Sequence, residues 1–190
     1  MVLIFTLIIL LILTIGAVAM MRSLNTSLYG AGNLAFRRDL MNQGELAVAN
    51  VIAEFKTGDL STSGSTLNNV PADNYSATIL QTATTTFGDQ GVPTALLTTT
   101  LSSAVGTHAD LIGATPDVTI RYVIDRLCSA TGTPTGALCV QSTAAPTGGT
   151  AGNTAVVKPP TATVYRLTVR VSGGRAGTQV FLQTTFARPD

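Results

Sequence analysis

Residues 1–21 read MVLIFTLIILLILTIGAVAMM, and no charged side chain occurs before Arg22. At about 1.5 Å per helical residue this run extends roughly 32 Å, the thickness of a bilayer's hydrocarbon core at about 30 Å. A helix pairs its own backbone groups, so the segment can lie in lipid without orphan donors. Downstream the pattern thins but keeps helical spacing. Leu24, Leu28, Ala31, Leu40, Gly44, Ala47, Val48, Val51, Ile52 and Phe55 fall along one stripe, with Glu45, Glu54 and Lys56 mostly off it. Gly58 is a natural stop. The expected organisation is therefore an apolar helix over 1–21, its amphipathic continuation over 22–57, and a head over 58–190. Unbroken, residues 1–57 make a rod of about 85 Å. Gly30 and Gly32 weaken it by up to about 1 kcal/mol each relative to Ala and are candidate positions for a bend.

The 190-residue chain carries net charge +1, and 11% of its residues are charged. No basic field is available to grip nucleic acid, and no acidic tail is present. The head is rich in Thr, Ala and Gly, a neutral composition more typical of an exported protein than of a cytosolic enzyme. Roughly 135 residues outside the rod suffice for one small domain with a core.

Strand signals concentrate late in the chain. Val118, Ile120, Tyr122 and Ile124 alternate within residues 117–125. Tyr165, Leu167, Val169 and Val171 alternate with Arg166, Thr168 and Arg170, the pattern of a half-buried strand. Residues 172–177 (SGGRAG) turn the chain, and Val180, Leu182, Thr184 and Phe186 alternate again, which predicts a β-hairpin. Residues 76–81 and 84–87 have strand-like composition, and 95–105 read as a short helix or an irregular insertion. The sheet's apolar face needs a cover, and the Leu40–Phe55 stripe is the amphipathic helix long enough to supply it. The fold class expected is α+β, a long N-terminal hydrophobic helix packed against a four-stranded antiparallel sheet.

Cys128 and Cys139 stand with ten residues between them in LCSATGTPTGALC. In an oxidising compartment they would close a Thr/Gly/Pro loop, worth about 3 kcal/mol in the chain-entropy model; two unrelated buried thiols are the alternative. Zinc needs four ligands, which two Cys and a single His do not supply. No G-x-S-x-G elbow, P-loop, H-E-x-x-H or calcium loop is present. Gly30 to Ala35 match the dinucleotide fingerprint G-x-G-x-x-A, but a helix precedes them where the motif needs a strand. His108 and Asp110 stand two apart in an expected loop, a spacing more often structural than catalytic. No catalytic residue, cofactor or metal site is assigned.

Three readings of the apolar run compete. Ala17-Val18-Ala19 fits a signal-peptidase site, although no Lys or Arg precedes the run. A plain single-pass anchor explains the length but not the amphipathic continuation. The third is a helix that serves in lipid and again in an assembly. Arg22, Arg37 and Arg38 follow the span, which by positive-inside counting puts the head in the cytoplasm, against its exported composition. A basic leader cleaved ahead of Met1 would remove that conflict.

Met1-Val2-Leu3-Ile4-Phe5-Thr6-Leu7-Ile8 resembles the start of a mature type IV pilin, in which a leader ending in Gly is cut before a run of the F-T-L-I-E kind. The longer run VLIFTLIILLILTIGAVAMMRS, followed by GAGNLAFRRDLMNQGE, is similar to the PilX-type minor pilins over about residues 1–55. The resemblance implies processing and methylation at Met1. It implies packing of Leu3, Ile4, Phe5, Leu7, Leu10 and Leu13 in the membrane and among the helices of a filament. Partners would be the other minor pilins and the major pilin, with a large tip adhesin as a further one. The location implied is the inner membrane, head periplasmic, and then the pilus tip. Major pilins carry Glu at the fifth mature position, where this chain has Phe5. That carboxylate is neutralised by the N-terminal ammonium of the subunit ahead, so its loss suits a subunit with nothing ahead of it. A GspK-like tip pseudopilin of a type II secretion system, and a membrane-tethered periplasmic enzyme or binding domain, are the alternatives.

Overall fold

The computed structural model describes residues 2–62, 64–85, 88–98, 100–115, 117–143, 161–173 and 178–189. Helix α1 runs without interruption over Val2–Thr57. Gly30 and Gly32 lie inside it and do not break it; a Cβ added at either would meet nothing within 4 Å. The helix ends where expected, with the Gly58 N–H donating to the Glu54 carbonyl at 2.5 Å. The chain divides into two compact units, Met1–Asp39 and Leu40–Asp190. The first is helix alone and is treated below. The second joins residues 40–57 of α1 to the head.

Within Leu40–Asp190, α1 buries Leu40, Gln43, Gly44, Ala47, Val51 and Phe55. These recur at three and four residues, the spacing that keeps one helix face on a flat partner. That partner is a six-stranded sheet of β1 (Tyr75–Ser76), β2 (Leu111–Ile112), β3 (Thr119–Arg126), β4 (Gln141–Thr143), β5 (Thr161–Ser172) and β6 (Gln179–Pro189). β5 is the spine. Along one edge it pairs antiparallel with β6 from Ala162↔Pro189 to Ser172↔Gln179. Along the other it meets β4 and then β3, both antiparallel. β3 in turn carries β2, antiparallel, and β1, parallel, on its free side.

The α+β arrangement matches the sequence reading, but the sheet is mixed and six-stranded where a purely antiparallel four-stranded one was expected. Residues 76–81 account for much of the difference. Only Tyr75 and Ser76 pair as strand, alongside Ile124 and Asp125. Beyond Ser76 the regular ladder stops; Ile79 N–H still donates to the Cys128 carbonyl at 2.9 Å, and side chains hold the backbone on either side of it. Ala77 N–H donates to Asn69 Oδ1 at 2.8 Å, the Ala77 carbonyl accepts from Arg126 Nε at 3.0 Å, and Leu80 N–H donates to Asp125 Oδ2 at 2.9 Å. Polar side chains that reach backbone groups compete directly with sheet pairing. Of the 84–87 strand, residues 84–85 are irregular and 86–87 lie outside the described residues; toward the 95–105 region, Thr94–Leu97 (α2) are the only helical turn among the described residues there.

The inner face of the sheet meets α1 through an aromatic cluster. Phe55 packs edge-on against Tyr165 and Phe186, each with ring centroids 5.0 Å apart. Tyr75 and Tyr165 direct their hydroxyls at Thr66, onto its carbonyl at 2.8 Å and its Oγ1 at 3.2 Å. Such pairs contribute about 0.5–1.5 kcal/mol beyond the area they bury. Further along, Gly44 lets the helix backbone approach β5 and β6. A Cβ there would stand 2.5 Å from Leu182 Cδ1 and 2.9 Å from Val171 Cγ2.

The outer face departs from the sequence reading. Arg166 and Thr168, expected on a solvated side, are 8% and 0% exposed. Described residues between 77 and 105 cover that face, with Val92, Leu96 and Val123 forming a second small core flanked by Leu80, Leu101 and Phe181. Asp125 and Arg166, directly opposed on β3 and β5, pair at 2.9 and 2.5 Å. Leu80 lies between them, its N–H donated to Asp125 and its carbonyl accepting from Arg166 Nη2 at 3.1 Å. The ion pair thus fixes the covering segment to the sheet.

Candidate functional site

The unit Met1–Asp39 presents the feature that most needs a partner. Val2 through Met21 are exposed on every side of the helix, and Leu3, Ile4, Phe5, Leu7, Leu10 and Leu13 are each 62–76% exposed. An 18-residue window there has mean hydropathy 3.0, and none of it is buried within the protein, so α1 is long and apolar enough to cross a membrane. Its two polar side chains conceal their donors. Thr6 Oγ1 donates to the Leu3 carbonyl at 2.9 Å, and Thr14 Oγ1 to the Leu11 carbonyl at 2.8 Å. A hydroxyl bonded back into its own helix leaves nothing unsatisfied in lipid.

The energetics follow from composition. Thirteen Leu, Ile, Val and Phe residues lie between Val2 and Val18. At about −0.3 to −0.6 kcal/mol each in a bilayer centre, they sum to roughly −4 to −8 kcal/mol. The same helix in water would present a contiguous apolar surface far beyond what a soluble monomer tolerates. Leu3, Leu7 and Leu10 share one face by their spacing of four and three residues, and Phe5 lies well round from them. A helix apolar on all sides suits both lipid and the interior of a helical bundle. Met1 lies outside the described residues.

Cys128 and Cys139 form a disulfide, with Cα atoms 4.0 Å apart. The loop they close is hydrogen-bonded across: Ser129 N–H donates to the Leu138 carbonyl at 2.8 Å and Val140 N–H to the Leu127 carbonyl at 2.8 Å. Gly132 N–H reaches the Leu67 carbonyl at 2.8 Å, tying the loop to the turn after α1. The disulfide therefore closes the start of the Thr/Gly/Pro-rich excursion over 129–162, of which residues 144–160 lie outside the described set.

The structure separates His108 from Asp110. His108 Nδ1 lies 2.8 Å from the Ala109 carbonyl and its ring 5.6 Å from that of Tyr122, whereas both Asp110 oxygens accept from Arg121, at 2.6 and 2.5 Å. Neither supports the other as a base would need. Gly30 to Ala35 are helical, with no strand ahead of them. Among the described residues no group of three or more His, Cys, Asp and Glu side chains is placed to hold a metal ion.

A pocket where α1 meets the head is lined by Glu54, Asp59, Asp73, Tyr122, Phe55 and Leu60. Burial raises the Asp73 carboxyl above its ordinary range, and repulsion from Asp59 and Glu54 adds to this against a smaller opposing pull from His108. Burial pushes the Tyr122 phenol up to about 12, helped by Glu54 and Asp73. Both shifts arise first from burial and second from the crowding of like charge. The sequence offered no sign of the grouping, since the three carboxylates come from α1, the turn after it and the segment before β1.

No family model, curated protein or solved structure matches this chain significantly. A long apolar N-terminal helix with a β-sheet head is consistent with a pilin-like fold.

Proposed function

We propose that the protein is a PilX-like minor pilin, a structural subunit that helps prime a type IV pilus and remains at or near its tip. The observation that carries this reading is the uncharged surface of α1 over Val2–Met21, exposed all round, in a chain whose helix residues Leu40–Phe55 cover the head's sheet. One helix then serves two solvents. It lies in the inner membrane with the head periplasmic, and afterwards packs through Leu3, Leu7, Leu10 and Leu13 among the helices of other minor pilins and the major pilin. Phe5 supports a terminal position. A carboxylate there would need the ammonium of a subunit ahead, and an isolated charge at that depth costs about 2.5–3.5 kcal/mol on insertion scales. The head supplies contact surface, to which a tip adhesin is a candidate partner, and runs no reaction.

The test is fractionation of cells that make the protein. The expected result is the intact chain in the membrane fraction and, at low copy number, in filaments sheared from the surface, with fewer filaments after deletion of the gene. A chain clipped after Ala19 and free in the periplasm, with normal filaments after deletion, would overturn the reading.

A further inference from the structure

The outer face of the sheet carries a second feature that the filament reading does not use. β3 and β5 pair so that Thr119 stands opposite Ser172 and Arg121 opposite Arg170. Residues two apart on a strand share a face, so two hydroxyls and two guanidiniums gather side by side. Like charges directly opposed across a ladder repel and need compensation. Asp110 compensates one of them, binding Arg121 through both oxygens, and that pairing raises the Arg121 pKa further. Arg170 has no carboxylate within 4.0 Å among the described residues. Its Nη1 donates instead to the carbonyls of Leu96 and Thr98 at 2.7 and 3.2 Å, and Arg121 Nη1 donates to the same Thr98 carbonyl at 3.1 Å. One carbonyl thus holds both guanidiniums together, two positive charges against one negative.

These side chains line a cleft of about 240 Å³ formed by Asp110, Thr119, Arg121, Arg170 and Ser172. Its volume is below the roughly 300–1,000 Å³ of drug-sized ligand sites and suits a group the size of one acidic side chain. A guanidinium fork matches the two oxygens of a carboxylate, and flanking hydroxyls add neutral donors. We propose that this cleft binds a carboxylate between Arg170 and the Thr119–Ser172 hydroxyl pair, either as the Asp or Glu side chain of a partner protein or as a free small acid. The bound carboxylate supplies the second negative charge that the opposed arginines lack, much as Asp110 supplies the first.

The experiment is a titration of the full chain in detergent micelles with ¹⁵Nε-labelled arginine, read by NMR. The probes are acetate, the capped tripeptide Gly-Asp-Gly and its Gly-Asn-Gly counterpart. Saturable shifts of the Arg170 and Arg121 Nε–H signals with an acidic probe, and none with the Asn peptide, are expected. Saturation by the Asp peptide at concentrations where acetate does nothing identifies a protein side chain as the source; equal saturation by both identifies a free acid as sufficient. Arg170→Lys is expected to weaken binding about tenfold through loss of the fork, and Thr119→Val, at an exposed position that leaves Arg170 intact, about threefold. Unmoved Arg126 and Arg166 signals report that the head is still folded. Shifts that fail to saturate, that appear equally with the Asn peptide, or that persist unchanged in Thr119→Val and Arg170→Lys would overturn the proposal.

Discussion

Arg166→Met should be among the most damaging single substitutions in the head, and its damage should be largely repaired by a second one. Asp125 is 0% exposed and accepts from Arg166 through both oxygens and from Leu80 N–H. Removing the guanidinium leaves a buried carboxylate with one neutral donor, which costs about 3–5 kcal/mol. With a urea m-value of about 2 kcal/mol/M, the unfolding midpoint falls by roughly 1.5–2.5 M. Asp125→Leu added to Arg166→Met removes the stranded charge, leaving only the Leu80 backbone groups short of partners at about 1–3 kcal/mol. The double variant should therefore recover about 1 M of the loss. Pulse proteolysis of the full chain in detergent across a urea series measures both. A midpoint for Arg166→Met within about 0.3 M of the parent, or a double variant no more stable than the single one, would show that the pair does not hold residues 77–82 to the sheet.

Three further outcomes use the same assay. Gly44→Val should cost about 1–3 kcal/mol by overpacking against Val171 and Leu182, whereas Gly30→Ala, with open space around it, should leave the midpoint unchanged or raise it. Reduction of Cys128–Cys139 should lower stability by about 3 kcal/mol; no change on reduction would mean that the hydrogen-bonded loop holds itself closed. The raised carboxyl of Asp73 keeps its proton in the folded state to higher pH than in the unfolded state. Stability should accordingly fall as pH rises from the ordinary carboxyl value through the folded one, and Asp73→Asn should flatten that slope.

What the sequence disclosed, and what it withheld, divides along the two faces of β5. Tyr165, Leu167, Val169 and Val171 announce an inner face, and the Leu40–Phe55 stripe announces its cover, because both signals are local periodicities of two and of about 3.6. The hairpin of β5 and β6 was legible for the same reason; its turn residues 174–177 lie outside the described set. The outer face was not legible. Arg166 and Thr168 look like solvent-facing residues until register places Asp125 opposite Arg166 and the segments carrying Leu80 and Leu96 fold over that face. That cover has no periodicity, and its ties to Asp125, Arg126, Arg166 and Arg170 are side-chain hydrogen bonds at separations of forty or more residues. β2 and β4, two and three residues long, are too short to leave a pattern. Gln43 is a similar case. It reads as a polar interruption of the stripe, yet its Oε1 accepts from Ala114 N–H at 3.1 Å in a buried position. The apolar segment Leu3–Leu13 was plain from composition alone, whereas the paired arginines on β3 and β5 needed the strand register.

Site-specific photocrosslinking from Leu10 addresses the double use of α1 with the fewest intermediate steps. A benzophenone side chain at that position, activated in whole cells, should give lipid adducts in the membrane fraction. In sheared filaments it should give adducts to the apolar N-terminal helices of other small subunits. Lipid adducts alone, with no crosslinked chain in the filament fraction, would mean that the helix is a membrane anchor and nothing more.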